Sequence, residues 1–335
     1  MNYLFELSKE HKTLPKAEIL ACLQAEDIDN EIIESNEDVL VISTNSKNDQ
    51  IKDLSSRLSY TFHIDELLYH SKPDINSITN RSINNSLKRE GSIAIKYKNR
   101  SKNIDSQPIV KALANIYTKD RDVALENPEN EVRGFITDSK VYVGLKIAEI
   151  NRTQFEERKV QYRPYFSPIS LHPKLARALV NLSAVKKGET LLDPFCGTGG
   201  ILIEAGLIGV NVIGNDIEEK MIEGCKKTLD FYKVKNYELY HLDIGNLNRH
   251  TAKVDAIVTD LPYGKSTTTK GEDMRNLYKR AFKSMSTILK EGGIAVIGLS
   301  NENLISFGKE HFTIIEKFDF KVHKSLVRHF VVFKK

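Results

Sequence analysis

A chain of 335 residues with 40% hydrophobic composition carries enough apolar material to bury a sizeable core, and its length suits two or more domains. No apolar run approaches the roughly 20 residues that span a bilayer, and the start, Met1-Asn2-Tyr3-Leu4-Phe5-Glu6, turns acidic too early for a secretory signal, so a cytoplasmic protein without membrane association is expected. Cys22, Cys196 and Cys225 form no Cys-x-x-Cys pair, which argues against a disulfide framework and a structural zinc site; reduced thiols and no metal are expected.

The net charge of +4 is unevenly spread. Residues 1–85 hold 8 basic against 15 acidic side chains, a net of −7, whereas residues 86–163 carry +5 and the remainder +6. A polyanion would be repelled by the first segment and drawn to the other two. Taken alone, this is no more than ordinary surface charge.

In chain order, the first 85 residues read as a small α/β unit, with a strand at 3–7, a helix at 15–23, a strand at 38–43 and a helix at 51–60. Asn and Ser gather over 76–86, the signature of a connection. A half-exposed strand follows at 92–98, then a helix over 107–118 with Ile109, Leu113 and Ile116 on one face, and a hairpin of 131–137 with 140–145. Residues 151–173, rich in Arg, Tyr and Pro, read as a linker that wraps the next domain. Beyond it strands at 190–193, 211–215, 237–242, 256–259 and 294–299 alternate with helices at 199–208, 219–232 and 273–289. That alternation predicts a parallel, doubly wound sheet. Residues 313–323 and 325–333 follow with almost no connection and predict a closing antiparallel hairpin.

Ligands of such sheets sit at the carboxyl ends of the strands. There the first strand runs into Asp193-Pro194-Phe195-Cys196-Gly197-Thr198-Gly199-Gly200. Gly197, Thr198 and Gly199 let the backbone come close to a ligand, and Asp193 can accept from the α-ammonium of an amino-acid moiety. Asp216 ends the second strand where ribose hydroxyls would lie, and Asp243 ends the third, where it can accept from an adenine amino group with Ile217 against the ring. Each acid alone is an ordinary turn residue; three at successive strand ends suggest a cationic amino-acid nucleoside, S-adenosylmethionine. The rival, a nicotinamide dinucleotide, prefers Gly-x-Gly-x-x-Gly with a free helix N-terminus for its pyrophosphate. Cys196 has no nearby base and reads as a packing residue in this loop.

The fourth strand ends in Thr259-Asp260-Leu261-Pro262-Tyr263-Gly264. An exocyclic amine on a nucleobase is a poor nucleophile because its lone pair is delocalised into the ring. The Asp260 carboxylate and the Leu261 carbonyl can each accept one of its N–H bonds and draw the nitrogen toward tetrahedral geometry. Pro262 stiffens the corner, and Tyr263 offers a face on which the base stacks.

These motifs resemble those of the archaeal tRNA guanine-N2 methyltransferases that act on guanosine 10. Residues 163–177, Arg163-Pro164-Tyr165-Phe166-Ser167-Pro168 onward, are similar to that family's linker; 193–203 resemble its cofactor loop and 260–264 its catalytic motif, although Leu261 stands where the family often has proline. Glu126-Asn127-Pro128 and Val141-Tyr142-Val143-Gly144 resemble a THUMP domain. The resemblance implies an N-terminal ferredoxin-like domain at 1–85, a THUMP RNA-binding domain at 86–150, the linker at 151–173, and a Rossmann-like seven-stranded methyltransferase domain at 174–335. It implies tRNA as partner, with phosphate contacts from Lys96, Lys98, Arg100, Arg133 and Lys146, and leaves open a small activator subunit and whether one or two methyls are added. Methylation of another tRNA or rRNA guanine, or of adenine N6, and a tRNA-binding scaffold without chemistry are the alternatives.

Overall fold

The computed structural model describes residues 1–167, 170–262, 272–323 and 326–335. The chain divides into two units: Met1–Lys16, Ile28–Ser55 and Thr61–Ile150 make the first, and Ala17–Asp27, Ser56–Tyr60 and Asn151–Lys335 the second. Each is built on its own seven-stranded sheet.

The first sheet comprises β1 (Asn2–Leu7), β2 (Glu31–Ser35), β3 (Val39–Ser43), β4 (Thr61–Ser71), β5 (Ile93–Asn99), β6 (Asn130–Ile136) and β7 (Val141–Glu149), in the order β2-β3-β1-β4-β7-β6-β5. All neighbours run antiparallel except β5 and β6. Residues 39–42 are buried on both faces, whereas outer β2 is largely exposed and places Glu31 at the solvent edge, where charge discourages further strand pairing. The expected hairpin is β6 with β7. Residues 76–86 are not a bare connection, since a helix spans Ile75–Asn84. Asp74 caps it by accepting from the Ser77 N–H at 2.8 Å, and Ile78 packs with Ile109 and Leu113 of the helix Ser106–Tyr117. The helix expected over 51–60 is shorter, Asn48–Asp53 with a 3-10 turn at Leu54–Ser56. β4 escaped the pattern because a buried acid, Asp65, interrupts its apolar face.

The second sheet comprises β8 (Thr190–Asp193), β9 (Asn211–Asp216), β10 (Tyr237–His241), β11 (Val254–Asp260), β12 (Leu289–Leu299), β13 (Thr313–His323) and β14 (Leu326–Lys334). Its order is β10-β9-β8-β11-β12-β14-β13. The first five named run parallel, and β14 pairs antiparallel with both β12 and β13, which makes a Rossmann-like fold closed by an antiparallel hairpin. The chain steps outward from β8 through β9 to β10, then returns to β11 on its other side; this reversal opens a crevice at the strand ends. Phe282 and Met285 of the helix Met274–Ile288 pack with Ile297 of β12 and Phe333 of β14. Among the described residues, no helix is long and apolar enough to cross a membrane, and no His/Cys/Asp/Glu group has a metal-holding arrangement.

Residues 151–182 are tied to this unit by a buried ionic cluster. Glu204, fully buried in the helix Gly200–Gly206, accepts from Arg158 at 2.7 and 3.0 Å and pairs with Arg177 at 2.9 Å. Both guanidiniums lie over the ring of Phe155, at 5.1 and 5.8 Å from its centroid. Arg177 also donates to the Ser56 carbonyl at 3.0 Å. Removing the one carboxylate leaves two cations stranded in the interior. Glu204→Ala is therefore expected to cost roughly 3–5 kcal/mol in urea denaturation, and an unchanged midpoint would show that the cluster contributes nothing net.

Candidate active site

Asp193 leaves β8 beside β11 and is only 2% exposed. Its Oδ1 accepts from the Thr259 hydroxyl at 2.7 Å and the Phe195 N–H at 3.2 Å. Burial pushes its carboxyl up to about 7, the hydrogen bonds oppose this in part, and Asp216 and Asp260 add to the rise. The loop that follows needs left-handed backbone at Gly197 (φ +51°) and Gly199 (φ +84°). Gly199 turns away from the ligand side: a Cβ there would lie 2.8 Å from the Cys225 Sγ. Cys196 is buried, and its contact with Cys225 together with burial holds the thiol well above its usual range, in its protonated form.

Asp216 accepts from the Gly197 N–H at 3.0 Å and the Glu218 N–H at 2.9 Å, so the second strand end is bonded to the first loop. Asn215, which the motif reading passed over, ties three strand ends together. Its amide donates to the carbonyls of Pro194 (3.2 Å) and Leu242 (3.1 Å), and its oxygen accepts from the Leu242 N–H at 3.1 Å. Asp243 is already engaged by Arg280 at 2.6 and 3.1 Å, and Arg280 also holds Glu272 at 2.6 and 2.9 Å. An adenine amine expected at Asp243 would have to share a carboxylate held in an ion pair.

At the end of β11, the Leu261 N–H donates to the Gly298 carbonyl at 3.0 Å and its side chain is 1% exposed in the core. Leucine thus anchors the corner by burial where a proline would do so by ring constraint. The Tyr278 hydroxyl donates to the Pro262 carbonyl at 2.8 Å. Asp260 faces Arg328 of β14, Oδ2 to Nη1 2.9 Å. Burial pushes the Asp260 carboxyl up to about 6 against the pull of Arg328. Tyr263 and Gly264 lie outside the described residues.

Both corners open into one pocket. Asp193, Cys196, Gly197, Thr198, Asp216 and Ile217 line it on the β8–β9 side, Asp243 lies at its rim, and Asp260, Leu261 and Pro262 close it on the β11 side. Ser167 and Ser170 also line it. Among the described lining residues there are six carboxylates, with Glu218 and Glu272, and no lysine or arginine. Such a cavity attracts a cation and repels a pyrophosphate.

The five basic residues expected to meet RNA fall into two groups. Lys96 and Lys98 are exposed on β5. Arg133 is 6% exposed and bonds Glu6 at 2.8 Å and Asp65 at 3.1 Å; Glu6 is held down to about 2 because hydrogen bonds from His63 and Arg133 outweigh the effect of its burial. Arg100 donates to the Leu7 carbonyl (2.7 Å) and to Asp38 (3.1 Å) and lies over the Phe135 ring, while Lys146 pairs with Glu131 at 2.7 Å. Arg133, Arg100 and Lys146 are thus each paired with acids of the first unit, whereas Lys96 and Lys98 present their charge outward. A strand reading that counts basic residues cannot see buried acids on neighbouring strands.

The model of an RMKL-like methyltransferase domain matches residues 160–329, and one of a DNA methylase matches 16–227, ending before Asp260. The tRNA (guanine(10)-N2)-dimethyltransferase of Methanothermobacter thermautotrophicus is 37% identical over 334 residues, 98% of each chain. In fold, the chain is similar to TrmN from Thermus thermophilus (TM-score 0.56, 17% identity, 100% of both chains). It is also similar to SMU.472, a structure solved in complex with SAH (TM-score 0.52, 14% identity, 100% of this chain and 98% of that one). With its sequence matched nearly end to end at this identity, the chain belongs to the tRNA (guanine(10)-N2)-dimethyltransferase family.

Proposed function

We propose that the protein transfers methyl groups from S-adenosylmethionine to the exocyclic amine of guanine in tRNA, at position 10. The observation that carries this reading is the single acidic pocket shared by the Asp193 loop and the Asp260 corner. The lining chemistry fits a donor that is cationic at sulfur and at its α-ammonium: carboxylates surround the space and apolar Phe195 and Ile217 flank it. When bound, the cofactor supplies an electrophilic methyl on sulfur. In this reading Asp193 receives the ammonium, Asp216 the ribose hydroxyls, and Ile217 the adenine face, with Asp243 at the adenine rim.

The rest of the work falls to the β11 corner. Asp260 and the Leu261 carbonyl accept the two N–H bonds of the target amine, so that its lone pair projects toward the Asp193 side. The base must leave its stack to arrive there. After the N–C bond forms and the C–S bond breaks, the amine holds one proton too many, and Asp260 or water accepts it. Residues 1–150 are assigned to tRNA binding, with 1–85 as a ferredoxin-like domain, 86–150 as a THUMP domain, and exposed Lys96 and Lys98 as phosphate contacts. The pair of intact corners disfavours a scaffold that has lost its chemistry.

Asp260→Ala is expected to lower turnover by about two to three orders of magnitude while SAH affinity in calorimetry stays within about twofold of wild type. If mass analysis finds no methyl on guanosine N2 of tRNA incubated with wild-type protein and donor, the function is wrong. A second expectation concerns pH. Asp193 must be ionised to receive an ammonium and its carboxyl lies near 7 in the free protein, so affinity for the donor should weaken as pH falls from about 8 to about 6, by roughly tenfold for each unit below that value. Affinity that is flat over this range would remove Asp193 from the role.

A further inference from the structure

Gly298 lies directly between Asp260 and β14. It pairs with Asp260 across β11–β12 and with Phe330 across β12–β14, so all three sit in one row of the sheet. A Cβ on Gly298 would come within 2.4 Å of the Asp260 Oδ1 and 2.8 Å of the Phe330 ring. The missing side chain leaves room for the carboxylate to lie across β12 and meet Arg328, two residues before Phe330 on the same face of β14, at 2.9 Å. Arg328 is 7% exposed and is not among the described residues that line the pocket; it reaches the pocket through Asp260. Among the described residues, the other ionisable groups that face Asp260 are Tyr278 on the helix Met274–Ile288 and Asp193 on β8, neither of which carries positive charge.

We infer that Arg328 is a specificity-determining positioning residue that keeps Asp260 a two-oxygen acceptor, so that the site reads guanine's ring N1–H together with its 2-amino group. This rests on the guanine-N2 reading of the site. An ionised carboxylate offers acceptors only, whereas a protonated one offers one donor and one acceptor. Guanine presents two adjacent donors, N1–H and N2–H. 2-Aminopurine keeps the same amine at the same place but has an acceptor at N1, which an ionised carboxylate repels and a neutral one can bond. Burial favours the neutral acid, and Arg328 opposes it. A buried cation at that spot therefore selects guanine beyond what the amine alone could.

The test uses full-length protein and tRNA assembled with guanosine or 2-aminopurine at the methylated position, read as single-turnover kcat/KM between about pH 5.5 and about pH 9. Wild type is expected to prefer guanine by roughly tenfold or more near pH 8 and to lose that preference as the pH drops below about 6. Arg328→Gln should shrink the preference near pH 8 and move the acid limb of the guanine profile upward, while Arg328→Lys keeps both close to wild type. Equal rates on the two bases near pH 8, a wild-type preference that is flat with pH, or an Arg328→Gln enzyme with the wild-type preference and limb would each overturn the inference. The wild-type pH series decides it even if the glutamine variant does not fold. Failure of wild type to methylate guanine at any pH would instead sink the proposed function, whereas guanine methylated no better than 2-aminopurine refutes only the role of Arg328.

Discussion

Carboxylates crowded at the ends of parallel strands are the constraint around which this molecule is arranged. Asp193 and Asp260 emerge from adjacent strands, Asp216 from the next one out, and each is largely withdrawn from water. Such groups repel one another and lose hydration, so each must be compensated locally. The compensation differs by site. Thr259 and the Phe195 N–H serve Asp193, two backbone N–H groups serve Asp216, and a guanidinium from β14 serves Asp260. Only the last is a full charge, which leaves the β8–β9 side the more receptive to a cation.

The same principle shapes the scaffold away from the pocket. In the first unit Arg133 answers Glu6 and Asp65; in the second, Glu204 answers Arg158 and Arg177. These interior pairs fix which strands and helices may meet, because a misregistered partner would leave a charge buried alone.

Much of the site was legible in the sequence because parallel strands obey a simple rule: whatever ends them faces the ligand. Asp193, Asp216, Asp243 and Asp260 could be placed by counting strands, and the glycines between 197 and 199 announced their turn. The strand–helix alternation of the second unit was equally plain, since its inner strands β8, β9, β11 and β12 carry runs of buried apolar residues. What stayed hidden depends on long-range pairing. Arg328 lies on a hairpin strand whose local pattern is merely β, and its meeting with Asp260 depends on a glycine on the strand between. Arg280 and Asn215 act through partners at other strand ends, and β4 was missed because its buried Asp65 makes sense only once Arg133 is across from it. The Asn- and Ser-rich stretch over Ile75–Asn84 misled because polar residues on the outer face of a capped helix look like a linker when read in one dimension.

The strand order of the second sheet bears on how the chain is made. β14 lies between β12 and β13, so while the ribosome is still delivering the hairpin, β12 presents an open edge and Asp260 lacks the Arg328 guanidinium. A nascent chain at that stage holds a half-built sheet whose buried acid still awaits its partner from β14. Docking of β14 closes the edge and neutralises the acid in a single event, which couples completion of the sheet to the readiness of its chemistry.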